Sequence, residues 1–540
     1  MNHHKWDRHV SAFQKYWSIL ILLILFLFSL YLYFHKYPWL PNPDDRTYVA
    51  WGLNIYDFGK YIGCAGSPIT SVPPLHCHLI AVSYALFGPS LDSAQAVSIF
   101  FAALCSPLAF IMGKTFYNEK VGILCGIFTA TSFLIWRYSS RTLSEPELIF
   151  FVNLSILLLY LTVKKGTKKY PFFLGISMGL GYLTKELIVF IAPLLLLILI
   201  EKNFDVRTRV RNFFICISIS GATVFPWFYY LHALQKGAAG ISATLSGMRG
   251  SGALTAWGFR TGEEIFSILT LDQAISLSML ILFYIGIILT VRRYFEYNNL
   301  SDKLLVLSVG VWFSLFLFNV YMPFRVRRLI PMVIPLYLLA SRSLTGLYER
   351  IKKVPVAIEV TKPLTFVTII FLLSYGNTMI NSGGIKNFNV MSLRQENEID
   401  QNIEVLFRDD CNTFLSHYNK DEVVGSLFAW LFYFYTHGEY ECYRLKMQNL
   451  SEIESEKIIY QYSYSRRGIS EEGFLRQLYE DGITVVAVPV LYYDPELKTF
   501  LEFLQVNSDI FTDKTESGYK TTTVFEVDRG ELETYIESLD

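Results

Sequence analysis

The chain has 540 residues, of which 52% are hydrophobic and 17% charged, and its formal net charge is +0. Apolar runs of roughly twenty residues recur through the first 380 positions, which makes it a polytopic α-helical membrane protein rather than a soluble enzyme. With no bulk field there is no argument for a nucleic-acid partner, and informative charge must be local.

A short basic leader with Lys5, Arg8 and Lys15 precedes the first apolar run, 17–34, and no small-residue cleavage site follows it. It is expected to stay as an anchor with its amino terminus inside. Next comes "NPDDRTYVAW", 42–51, with Asp44 and Asp45 side by side. On local sequence these acids form a turn and cap a helix beginning near Arg46. The alternative is a reaction centre at the membrane boundary.

Further spans are expected at 93–113, 121–137, 146–163, 170–184, 187–200, 212–231, 265–290, 303–321, 329–345 and 363–380, each near the length that a core of about 30 Å requires. The stretch "PPLHCHLIAVSYALFG", 73–88, is short and opens on two prolines. If it does not cross, the basic loops 164–169, 201–212, 291–303 and 348–353 all face the cytoplasm. It is therefore read as a helix along the outer surface, which leaves about eleven spans. The outer face then holds 37–92, the loop around Arg141 and Glu145, the loop 232–264, and the tail. The loop 232–264 is glycine-rich, in the manner of a lid or an ordinary linker.

In "RYSSRTLSEPELIFF", 137–151, Arg141 and Glu145 suit a surface ion pair one helical turn apart, and Ser144 with Glu147 suits a capping box. A carboxylate at the boundary is also a second acid for one pocket. Lys185, in "GYLTKELIVF", is a lone cation in an outward turn, explained equally by snorkelling. Arg325, Arg327 and Arg328 break the positive-inside pattern and so need an anion, either lipid headgroups or a phosphate held in a cavity. His76 and His78 point apart on a helix and do not make a metal site without a third ligand. Cys64, Cys77, Cys105, Cys125 and Cys216 lie in or beside apolar stretches and read as packing. Cys411 and Cys442 lie in the polar tail, where a pair forms only in an oxidising space.

From about 385 the composition turns charged and mixed. Strand-like runs at 482–490 and 519–527 and a helical pattern at 471–481 predict a soluble α/β domain. The expected division is a membrane domain, 1–380, with juxtamembrane helices in 37–92, and an extracytoplasmic domain, 381–540.

The order of these pieces, ending in "FPWFYY" (225–230) and "RRLIPMVIPLY" (327–337), resembles the GT-C membrane glycosyltransferases of the protein O-mannosyltransferase and aminoarabinose transferase type, over about residues 15 to 345. The resemblance implies a polyprenyl-phosphate-linked sugar as donor, transfer on the outer face, and inversion at the anomeric carbon. By position it makes Asp44 the catalytic base, Asp45 the acid beside it, and Glu145 the second-loop acid, where relatives often have Asp. Aminoarabinose transferases usually carry a lysine just before the paired prolines. Val72 stands there in this chain, which shifts the phosphate contacts to Lys185 and the arginines.

The chemistry points the same way. A phosphate leaving group of low basicity needs no general acid, so one base and nearby cations suffice. No cofactor is required, and a divalent metal is not implied. The acceptor is a hydroxyl on protein, lipid or glycan. Competing readings are a lipid-linked glycan flippase or transporter, an oligosaccharide ligase, and a sensor with the tail as its ligand domain. The transporter reading lacks paired broken helices, and the charges sit at the outer boundary rather than at midplane.

Overall fold

A computed structural model describes residues 3–34, 43–63, 68–70, 72–235, 277–317 and 330–352. In the tail it describes 409–418, 423–426, 441–448, 459–462, 471–480, 482–489, 501, 503–515 and 522–538. The chain divides into two units, one of 1–37, 70–76 and 95–392 and the other of 38–69, 77–94 and 393–540.

Long apolar helices build the first unit, beginning with α1 (His3–Phe34) and α4 (Leu91–Phe116); between them in the chain come α2 (Pro43–Phe58) and α3 (Leu75–Phe87), which fall almost wholly in the second unit. Beyond these, α5 (Glu119–Ala130) and α6 (Phe133–Ser139) bend by 47° across a break. The bend has a local cause. Ser132 caps α6 by accepting from the backbone N–H of Ile135, so the chain restarts a helix instead of continuing one. Helix α7 (Glu145–Lys165) closes on Gly166, whose φ of 65° is the left-handed end that glycine tolerates. A β-carbon there would lie 2.6 Å from the Phe204 ring, so the turn into α8 (Lys169–Thr184) has no room for a side chain.

At Lys185 the backbone becomes extended and α8 ends. A 3-10 stretch, Glu186–Leu196, follows with Pro193 inside it, and then the short α9 (Leu197–Ile200). The span expected at 187–200 is thus not an α-helix over most of its length. Proline removes a backbone donor and its ring clashes with the preceding turn, and the tighter winding accommodates both. Helix α10 (Val206–Gln235) packs along α8 at close range. β-Carbons added at Gly175 and Gly179 would come within 2.7 Å of the Cys216 carbonyl oxygen and 2.5 Å of Thr223.

The remaining described helices of this unit are α11 (Leu277–Tyr297), α12 (Leu300–Leu317) and α13 (Val333–Lys352). Among the described residues, five helices are long and apolar enough to cross a membrane, or six if the bent pair counts as one span. The spans read at 17–34, 93–113, 146–163, 212–231 and 329–345 fall on these five. The span read at 363–380 lies outside the described residues.

One polar cluster is sealed within this unit. Arg342 pairs with Asp302, donates to Thr290 Oγ1 at 2.7 Å and to the Tyr117 hydroxyl at 3.0 Å, and Tyr117 donates to Asp302 at 2.8 Å. Asp302 is fully buried and Arg342 is 7% exposed. Buried charge at such a depth is tolerated because every partner is present, and it ties the end of α4 to α11, α12 and α13.

In the second unit, α2 packs on α3. A β-carbon at Gly52 would overlap Ile80 at 2.4 Å, and the Tyr84 hydroxyl donates to the Val49 carbonyl at 3.3 Å. The tail contains β1 (Val423–Ser426), β2 (Glu441–Gln448), β3 (Ile459–Tyr462), α14 (Glu471–Glu480), β4 (Val485–Pro489), β5 (Phe511–Asp513), β6 (Thr522–Val527) and α15 (Arg529–Glu537). Its strands form one sheet in the order β3-β2-β1-β4-β6-β5, with β1 parallel to both β2 and β4 and the outer pairings antiparallel. Strand β4 is buried without alternation at Val485, Val486 and Ala487, as a central strand covered on both faces should be. Leu475, Leu478, Phe503, Phe525 and Leu532 supply part of the core against it. The runs read as strands at 482–490 and 519–527 contain β4 and β6, and the helical pattern at 471–481 contains α14. Cys411, in a helix over 409–417, is a buried free thiol. Burial first, and then the neighbouring Asp410 charge, push its pKa well above the ordinary thiol value.

Candidate active site

The first turn of α7 gathers the charge. Ser144 precedes it with no side-chain capping bond, and Pro146 sits in the opening turn. The loop leading into it is pinned by Ser98 Oγ, which donates to the Leu143 carbonyl at 2.8 Å. Two carboxylates follow, and both point into the protein. Glu145 is 3% exposed and accepts from Lys185 Nζ at 2.7 Å. Glu147 is fully buried, and its Oε1 lies 2.7 Å from His76 Nδ1.

These contacts correct three expectations. Glu145 is not part of a surface ion pair, because its side chain turns inward to the cation at the end of α8. Ser144 and Glu147 do not form a capping box, since Ser144 donates and accepts no cap bond and Glu147 is committed to His76. Lys185 is not a lone cation, because the break in α8 brings its ammonium to Glu145. The placement makes electrostatic sense: carboxylates in a first turn are favoured by the positive end of the helix dipole, and each has a partner able to carry positive charge. The Lys185 side chain is 23% exposed, so the pair is not sealed from its surroundings as the Glu145 carboxylate alone would be.

The acids at 44 and 45 lie on α2, which begins at Pro43 rather than near Arg46. Proline is well suited to the first helical position, and the helix therefore starts early enough to hold both acids in its first turn. Asp45 is buried, at 2% exposure. Helix α2 belongs to the second unit, whereas Arg141, Glu145 and Lys185 belong to the first. Arg141 is half-buried in the turn between α6 and α7. Arg325, Arg327 and Arg328 lie outside the described residues.

The His76 pairing was not anticipated. His76 and Glu147 are 71 positions apart, and local spacing carries no trace of such a contact. A usable signal was Glu147 itself, an acid running straight into "LIFFVNL", since an ionisable group inside a span needs a partner. Among the described residues no group of three His, Cys, Asp or Glu side chains could hold a metal ion.

Residues 71–230 match the family model described as dolichyl-phosphate-mannose-protein mannosyltransferase, and both α7 carboxylates and Lys185 fall inside the match. A solved structure of ArnT from Cupriavidus metallidurans bound to undecaprenyl phosphate superimposes with a TM-score of 0.61, covering 94% of this chain and 98% of that one at 11% identity. This chain has the fold of the GT-C membrane glycosyltransferases. A second GT-C neighbour, the archaeal oligosaccharyltransferase AglB from Archaeoglobus fulgidus in complex with an inhibitory peptide and a dolichol-phosphate, gives 0.58 over 96% of this chain and 75% of that one, at 11% identity. Among curated sequences, the undecaprenyl phosphate-alpha-4-amino-4-deoxy-L-arabinose arabinosyl transferase of Pseudomonas paraeruginosa is 24% identical over 229 residues, 41% of each chain. The same enzyme from Pseudomonas aeruginosa is 24% identical over 186 residues. The chain thus spans about two fifths or less of the length of the curated relatives it matches. The likeness read from the order of motifs is shown.

Proposed function

We propose that the protein transfers a sugar from a polyprenyl-phosphate-linked donor to an acceptor hydroxyl on the outer face of the membrane, with inversion at the anomeric carbon. The observation that carries this reading is the Glu145–Lys185 pair, a partly exposed lysine held by a buried carboxylate within the segment matching a lipid-phosphate sugar transferase family. Asp44 takes the proton of the acceptor hydroxyl as its oxygen attacks the anomeric carbon. The bond from that carbon to the phosphate oxygen breaks, and the electron pair leaves with the polyprenyl phosphate. Lys185, with Arg327 and Arg328, stabilises the charge gathering on that phosphate. Glu145 keeps the Lys185 ammonium in place, Asp45 positions the first turn of α2, and Arg141 and Arg325 contribute to binding at the same boundary.

The topology that goes with this mechanism has about eleven spans, with Glu145, Arg325 and the tail outside and Lys165, Arg209 and Arg292 in the cytoplasm. The acceptor is a protein, lipid or glycan hydroxyl. The reading can be tested directly. Full-length protein in lipid is supplied with labelled undecaprenyl-phosphate sugars, and release of polyprenyl phosphate is followed together with the anomeric configuration of the product. Asp44→Asn should slow turnover by roughly a hundred- to ten-thousandfold while the protein stays folded. Asparagine suits a helix start as well as aspartate, so a turn-forming role would leave the rate unchanged. Movement of intact donor across the bilayer without cleavage would replace the reading with a flippase. Labelling of a cysteine at position 209 by an impermeant reagent from outside would overturn the topology.

A further inference from the structure

Away from the α7 carboxylates, the start of α8 and the side of α10 enclose an open groove of about 650 Å³. Its walls are amphipathic in a particular order. Lys168, Lys169 and Arg211 stand around it, and Phe172, Phe214, Ile215 and Ile219 line the rest. Phe172 and Phe214 are 42% and 61% exposed, and so offer an apolar surface that the protein itself leaves uncovered.

Three features make the mouth a seat for an anion. Lys168 and Lys169 are exposed, and neither they nor Arg211 form an ion pair with a described carboxylate. Arg211 is aimed by two fixed oxygens, donating to the Gly166 carbonyl and to Asn212 Oδ1, each at 3.2 Å. Helix α8 starts here with no side-chain cap, so the free N–H groups of Lys169 and Tyr170 and the positive end of its dipole lie at the same end of the groove as the cations. On the adjoining turn, Asp205 is held by Thr208, whose side-chain hydrogen bond first, and then its backbone N–H at 3.1 Å, lower the Asp205 pKa ahead of Arg211.

We propose that this groove binds an anionic phospholipid, its phosphate at Lys168, Lys169 and Arg211 and one acyl chain along the phenylalanines and isoleucines. A free phosphate would use the cations and gain nothing from the apolar wall, whereas a lipid satisfies both ends. The loops 164–169 and 201–212 that carry the cations are cytoplasmic in the proposed topology, so the occupant comes from the inner leaflet and is distinct from the sugar donor. The site acts as an annular clamp on the α8 and α10 pair. It stands whether or not the transferase reading does, because binding and not turnover is read.

Full-length protein in neutral detergent is titrated with phosphatidylglycerol or with phosphatidylcholine of the same acyl chains, and bound lipid is counted by native mass spectrometry. Phosphatidylglycerol should be retained at least about tenfold better. The Lys168→Gln/Lys169→Gln variant alters only exposed side chains and should lose roughly fivefold in that preference for each charge removed. Ile219→Trp, which fills the wall and leaves the cations, should also reduce retention. Equal retention of the two lipids by the wild type, or an unchanged preference in the double lysine variant, overturns the proposal. Inorganic phosphate displacing phosphatidylglycerol at equal concentration would show a site for a free anion and overturn it as well.

Discussion

Two charged clusters are buried in the first unit, and they are built to opposite specifications. Around Arg342, the cation meets Asp302, Thr290 and Tyr117, and Tyr117 bonds back to Asp302, so the cluster closes on itself. At the start of α7, Lys185 pairs with Glu145 and keeps about a quarter of its side chain open, and Glu147 presents only one of its oxygens to His76. A charge whose bonding is complete holds helices together and has nothing left to offer a ligand. A charge that is held but left partly unsatisfied is available to one. The difference teaches where to look for chemistry in a membrane protein rich in buried polar groups.

The contrast is sharpest under mutation. Arg342→Met should be the most damaging change to folding, about 3–5 kcal/mol, because it strands Asp302 in the interior. A thermal unfolding midpoint that hardly moves would remove the cluster's role as a clamp. Lys185→Gln should act differently, raising the donor requirement by an amount equivalent to about 2–3 kcal/mol with a smaller stability loss, since water can reach Glu145 from the open side. Equal losses of stability in the two variants would erase the distinction. Glu147→Gln keeps a hydrogen-bonding group beside His76 and should cost on the order of 1 kcal/mol, seen mainly in stability rather than in turnover.

The smallest effect lies in the tail. Because burial raises the Cys411 thiol in the folded protein, the unfolded chain loses that proton first. The thiol's contribution is complete below its unfolded value, near 8.5, and falls as pH rises above it. Unfolding of the tail should therefore show an alkaline decline that Cys411→Ala reduces, and a thiol reagent should reach Cys411 only on unfolding.

Five of the expected spans were legible because the bilayer imposes a length on apolar runs, and 17–34, 93–113, 146–163, 212–231 and 329–345 obey it. Strands β4 and β6 were legible for another reason, their β-branched runs. The 3-10 winding of Glu186–Leu196 was hidden because composition is blind to the pitch of an apolar helix, although Pro193 marked the place. Within the site, the acids and Lys185 were each visible as charges out of place. Their pairing was not, because Glu145 and Lys185 are 40 residues apart and meet only through the packing of α7 on α8.

The glycines that bring α8 against α10 have a mechanical meaning as well. With Gly175 against the Cys216 carbonyl and Gly179 against the Thr223 side chain, these two helices form one closely packed strut. Lys185 stands at the end of that strut, where the chain straightens before the tighter 3-10 winding begins. The apolar stretch Glu186–Ile200 thus continues directly from the end of a closely packed helix pair, and the ammonium at its root is held by the Glu145 carboxylate.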